Sequence, residues 1–124
     1  MNYRNKRFFV EKTSVKKIAK KFGTPVYVYS LNKIKQNISN FKKSFKYINP
    51  LICFSVKSNC NINILRIIKN QGLGADVVSI GELMIALKAG ISPKKIVFSG
   101  VGKTIDELNF AINNKILLIN AESE

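Results

Sequence analysis

From residue 50 onward the chain repeats one unit, and this repeat restricts its fold more than any other feature. Short, mostly apolar runs at Leu51–Lys57, Ala75–Ser79, Lys95–Ser99 and Ile116–Ala121 alternate with stretches whose apolar residues recur at helical spacing. Short apolar runs bounded by polar or Gly-rich turns have the pattern of buried parallel strands. The segments between them carry helix signals at both ends. Asn61 or Asn63 can cap a helix bearing Ile64, Leu65, Ile67 and Ile68, which closes at Gly72. Ser79 and Glu82 have capping-box spacing ahead of Leu83, Ala86 and Leu87, and Gly90 ends that stretch. Thr104 and Glu107 repeat the device ahead of Leu108, Ala111 and Ile112. The expected strand ends lie roughly 20–22 residues apart, the spacing of consecutive βα units in a barrel or a doubly wound sheet.

Upstream, Val15, Ile18, Ala19 and Phe22 make one helix face, ended by Gly23 with Pro25 beyond it. Val26–Tyr29 is a further strand candidate, and Leu31, Ile34, Ile38, Phe41 and Phe45 fit a longer amphipathic helix capped by Ser30. The class predicted is α/β, with an N-terminal segment and helix over residues 1–24 and the first half of a (β/α) barrel over 25–124. Four βα-type strands are too few for an eight-stranded barrel of ~250 residues, so a partial, TIM-like barrel is expected. The sequence stops directly after a strand, which reads as a fragment or a truncated gene.

Composition removes several classes. A hydrophobic share of 46% is enough for a packed core and argues against disorder. The longest apolar runs, such as Leu51–Phe54 and Ile116–Ile119, fall far short of the ~20 residues of a membrane span. The N-terminus has basic residues but no apolar signal region, so the cytoplasm is the expected compartment. Cys53 and Cys60 have neither redox-motif nor disulfide-framework spacing. The absence of histidine removes Ser-His and Cys-His nucleophiles and imidazole metal sites, and no metal is expected. The net charge of +14 invites a nucleic-acid reading. Its lysines, however, are scattered along polar helix faces without an aromatic-interleaved basic motif, so no nucleic-acid partner is predicted.

In parallel α/β folds chemistry gathers at the C-terminal ends of the strands. The residues there are Lys57–Asn59, Ser79, Ser99–Lys103 and Ala121–Glu122. Extended alternation puts Cys53, Ser55 and Lys57 on one side of the first strand and Ile52, Phe54 and Val56 on the other. A lysine ending such a strand can serve as a desolvated, nucleophilic amine. It can equally leave the strand for solvent, and spacing alone leaves both readings open. Asp76 is an acid within an apolar strand, which costs free energy without a partner. Gly100-Val101-Gly102-Lys103-Thr104 superficially resembles a phosphate-binding P-loop. That motif needs a glycine where Val97 stands, so the reading fails. A tight turn capped by Thr104 and a weaker anion site at the helix N-terminus remain.

Five blocks of the sequence together resemble a known family. They are Gly-Thr-Pro-Val-Tyr-Val-Tyr (23–29), Cys-Phe-Ser-Val-Lys-Ser-Asn (53–59), Gly-Ala-Asp-Val-Val-Ser-Ile-Gly-Glu-Leu (74–83), Ile-Val-Phe-Ser-Gly-Val-Gly-Lys-Thr (96–104) and Ile-Asn-Ala-Glu-Ser-Glu (119–124). In order and content they are similar to diaminopimelate decarboxylases, fold-type III enzymes dependent on pyridoxal 5'-phosphate. The resemblance implies a cofactor-binding barrel, with Lys57 as the Schiff-base lysine and Asp76 near the cofactor. It also implies a small amino-acid substrate, meso-diaminopimelate, decarboxylated to L-lysine, and a homodimer. The family's stacking histidine, its phosphate loop, the acid for the pyridine nitrogen and the substrate-binding residues fall beyond residue 124. The 124 residues alone are therefore expected to be inactive. The alternatives are a remnant of a decaying gene and a basic nucleic-acid-binding module.

Overall fold

The N-terminal residues pair into an antiparallel meander of β1 (Asn2–Arg4), β2 (Arg7–Val10) and β3 (Thr13–Ser14), for which the sequence offered no strand pattern. A computed structural model describes residues 2–4 and 6–123, which fall into two units that part between Asn49 and Pro50. In the first unit Tyr3 and Phe8 sit opposite each other across β1 and β2, with ring centroids 4.9 Å apart. Such cross-strand aromatic pairs are a main source of sheet stability. Helix α1 (Val15–Phe22) starts at Ser14, whose hydroxyl accepts the Lys17 N–H at 3.3 Å. It stops where Gly23 turns left-handed and donates its N–H to the Ala19 carbonyl. Helix α2 (Leu31–Ser44) is capped by Ser30, as expected. Glu11 adds a second cap, its Oε1 accepting from the Ser30 hydroxyl at 2.8 Å and the Asn32 N–H at 2.9 Å.

The strand expected at Val26–Tyr29 does not form: the segment enters no ladder among the described residues, and Tyr27 and Tyr29 are exposed. Alternation qualifies a segment for a sheet, but only a neighbouring strand makes it one.

In the second unit β4 (Cys53–Ser55), β5 (Gly74–Val77), β6 (Ile96–Phe98) and β7 (Leu118–Ile119) form one sheet in that order, every pair parallel. Helices α3 (Ile62–Asn70), α4 (Ile80–Lys88) and α5 (Ile105–Asn113) fill the crossovers. This is the predicted α/β arc. Alternation sorts the sheet into two faces. Ala75, Val77, Ile96 and Phe98 are buried in one core with Leu65 of α3, Leu83 and Ala86 of α4, and Ala111 of α5. Each large side chain so buried contributes roughly 1.5–3 kcal/mol relative to exposure. On the opposite face, the register aligns Ser55, Asp76, Val97 and Leu118 in one row, with Cys53 and Gly74 in the row below.

The first strand is shorter than expected. It stops at Ser55, and Val56–Ser58 form a 3₁₀ turn closed by the Asn59 N–H on the Val56 carbonyl at 2.9 Å. The Ser58 hydroxyl donates to the Ser55 carbonyl at 2.7 Å and holds the turn. Val56 thereby drops into the core with no exposed surface. Cys53 and Ser55 share a face as predicted, but Lys57 leaves the ladder and projects from the turn.

The two capping boxes differ in detail. Thr104 and Glu107 satisfy each other's backbone in full. At α4, Ser79 accepts the Glu82 N–H, but the Glu82 carboxylate takes the Val78 N–H at 2.9 Å, one residue upstream of the expected donor. Thr104→Ala removes the cap of α5 and is expected to cost about 1 kcal/mol, read as a lower urea midpoint.

Candidate active site

The C-terminal edge of the parallel sheet gathers the residues singled out from the sequence. Lys57 stands on the turn after β4, two residues beyond Ser55, and Ser55 is the register partner of Asp76 on β5. Parallel pairing thus brings the Lys57 turn and Asp76 to the same end of neighbouring strands. Lys57 is exposed, with no carboxylate paired to it among the described residues.

Asp76 occupies the face away from the helical core. Its Oδ2 accepts from the Ser55 hydroxyl at 3.4 Å. Its Oδ1 is buried and has no hydrogen-bond partner among the described residues. A buried carboxylate oxygen left unpaired is costly, and such a group calls for a donor from outside the protein segment. Cys53 lies one row below on the same face. Burial, and secondarily the charge of Asp76, push its thiol above the ordinary range. Cys53 therefore stays protonated at neutral pH and is unsuited as a nucleophile.

Lys103 is placed differently from Lys57. Its ammonium donates to the carbonyls of Gly100 and Asn120, the latter at 2.7 Å, and lies 3.9 Å from Glu122 Oε1. Its side chain is only 8% exposed. This amine binds the loop after β6 to the segment after β7 and is committed to that task. Asn120 strengthens the same junction by donating its side-chain amide to Ser99 Oγ at 3.0 Å. Glu124, the last residue of the Ala-Glu-Ser-Glu block, lies outside the described residues.

Glu107 also does more than its spacing announced. Its Oε2 accepts the Thr104 N–H at 3.0 Å, while its Oε1 reaches the Ile80 N–H at the start of α4, also at 3.0 Å. One carboxylate thus caps two helices whose residues lie 27 positions apart. The backbone N–H of Thr104, then that of Ile80, hold the Glu107 carboxyl below the usual carboxylate range; partial burial opposes them, and the Thr104 hydroxyl assists. Glu82 and Glu107 already serve these helix N-termini, so the turn at Gly100–Thr104 has its own carboxylate in place of an external anion.

This geometry has a pH consequence. A depressed folded-state pKa contributes stability that is present above the unfolded value and is lost as pH falls through the folded value. The urea midpoint is expected to drop on acidification below the ordinary carboxylate range. In Glu107→Gln that drop should be smaller; an identical pH profile in both proteins would show that the double cap contributes nothing.

The cofactor implied by the resemblance needs an accessible amine at the strand ends and small or polar side chains on the sheet face beside it. The residues present fit it. Lys57 is reachable, Cys53, Ser55 and Gly74 are small, and Asp76 Oδ1 has an unfilled acceptor. Among the described residues no group of His, Cys, Asp and Glu could hold a metal ion, and no helix is long and apolar enough to cross a membrane.

Comparison with known proteins gives the fold a family. The curated diaminopimelate decarboxylase of Aquifex aeolicus is 46% identical over 123 residues, which is 99% of this chain and 29% of the relative. That of Helicobacter pylori strain J99 is 52% identical over 82% of this chain and 25% of its own length. The chain thus spans less than a third of the curated relatives it matches. The solved diaminopimelate decarboxylase of M. jannaschii, in co-complex with L-lysine, superposes with a TM-score of 0.95 at 37% identity, over 98% of this chain and 30% of that one. The superposition bears out the partial-barrel reading: the parallel arc corresponds to part of a decarboxylase barrel. The family described as pyridoxal-dependent decarboxylase, pyridoxal binding domain, matches residues 31–124. Pyridoxal phosphate is therefore the cofactor of this fold, and the chain belongs to the pyridoxal-dependent decarboxylases.

Proposed function

We propose that the protein acts in decarboxylating meso-diaminopimelate to L-lysine and carbon dioxide, with Lys57 holding pyridoxal phosphate and Asp76 contacting it. The observation that carries this reading is the 46–52% identity to relatives named diaminopimelate decarboxylase, which in the Aquifex case runs through 99% of the chain and so includes both site blocks. Bound pyridoxal phosphate supplies an electron sink for the pair of electrons left when carbon dioxide departs. Lys57 contributes an exposed primary amine at the strand ends, whereas the amine of Lys103 is buried among carbonyls. Asp76 contributes a carboxylate on the sheet face away from the core, with its buried Oδ1 as an acceptor that has no partner among the described residues. The stretch corresponds to a quarter to a third of the relatives, so turnover belongs to the intact enzyme, which we place in the cytoplasm as a homodimer.

Two measurements test the proposal. Borohydride reduction of the protein with pyridoxal phosphate, followed by peptide mapping, should place the label on Lys57; a label on Lys103 overturns the assignment. Carbon dioxide release by the intact enzyme should occur with meso-diaminopimelate and be slower by orders of magnitude with ornithine. Preference for ornithine overturns the substrate.

A further inference from the structure

We propose that Ser55 is a positioning residue for the cofactor site: its hydroxyl fixes the Asp76 carboxylate so that Oδ1 stays free for the cofactor. The inference rests on the reading of Asp76 given above. Ser55 and Asp76 are register partners on neighbouring parallel strands, and both side chains belong to the face away from the core. An ionised carboxylate only accepts, so the Ser55 hydroxyl is the donor in their 3.4 Å contact. The terminal torsion of an aspartate is broad and roughly two-fold, so an isolated carboxylate in this row would exchange its oxygens freely. A donor on one oxygen removes that freedom and leaves the other as the acceptor, which matches the buried, unpartnered Oδ1.

No other side chain performs this task among the described residues. The Cys53 thiol, on the same face, lies 3.8 Å from the Lys95 carbonyl, to which it donates. Lys103 is engaged with Gly100 and Asn120. The long contact agrees with an effect of modest size.

The test is a double-mutant cycle on cofactor affinity in the intact protein, using Ser55→Ala, Asp76→Asn and the pair, with pyridoxal phosphate as the titrant. Thermal unfolding of each cofactor-free variant serves as the control for folding. A hydrogen bond of ordinary net strength, the class that a 3.4 Å contact belongs to, corresponds to roughly a 2- to 12-fold change in affinity, so Ser55→Ala is expected to weaken binding by about that factor. In the Asp76→Asn background the same change should alter affinity by less than about twofold. Ser55→Thr, which keeps the hydroxyl, should restore the coupling to Asp76. Equal weakening in both backgrounds, or none in the parent, overturns the proposal while Asp76→Asn still weakens binding. Undiminished affinity in Asp76→Asn overturns the reading of Asp76 itself, and this inference with it.

Discussion

Lys57→Ala in the intact enzyme is expected to abolish borohydride-dependent attachment of pyridoxal phosphate and to lower decarboxylation by on the order of 10³-fold or more, about 4 kcal/mol of barrier. The reason is positional. Lys57 is an exposed amine on the turn that follows β4, beside the row of Ser55 and Asp76. The other lysine of the strand-end loops, Lys103, is enclosed by the Gly100 and Asn120 carbonyls and cannot move into the role without breaking the junction between β6 and β7. Lys57→Arg should fail as well, because guanidinium stays protonated and lacks a nucleophilic lone pair. Lys103→Met, by contrast, should reduce stability while leaving the label on Lys57. Measurable covalent attachment in Lys57→Ala would move the cofactor to another amine and remove the basis of the proposed function.

Gly74→Ala is expected to destabilise the fold by about 3 kcal/mol, at the upper end for overpacking, because the added methyl meets backbone. Gly74 opens β5, opposite Cys53, and donates its N–H to the Ile52 carbonyl at 2.9 Å. A Cβ there would overlap the Lys95 carbonyl oxygen and come within 2.8 Å of Cys53 Sγ. The thiol could rotate away, but the carbonyl belongs to the turn Pro93–Lys95 that leads directly into β6. Relief therefore requires β5 and β6 to separate at their entry, which also shifts Asp76 two residues on. Urea denaturation measures the cost, and the pair Gly74→Ala with Cys53→Ala separates the two contacts. Removing the thiol should recover only a minor part of the loss. Full recovery would place the conflict at Cys53 and not at the backbone.

The sequence by itself determined the α/β class, the parallel order of the four strands after residue 50 and the identity of most helix caps. These are local properties. An apolar run, a capping residue and a terminating glycine act within a few positions, so Asn61, Ser79, Thr104 and Ser30 declare their helices wherever the chain goes. The block around Lys57 stood out only through its resemblance to a known family, because strand spacing left its lysine with either reading. What only the tertiary structure decided depends on which segments meet. The meander over residues 2–14 and the missing ladder at Val26–Tyr29 are both questions of partner availability, which alternation cannot supply. The 3₁₀ turn that lifts Lys57 out of β4 follows from Val56 entering the core formed with α3, α4 and the neighbouring strands. The second arm of Glu107 on Ile80, the enclosure of Lys103 and the pairing of Ser55 with Asp76 join residues 17 to 27 positions apart. At that separation a hydrogen bond has no sequence signature, because parallel register, not spacing along the chain, brings donor and acceptor within reach.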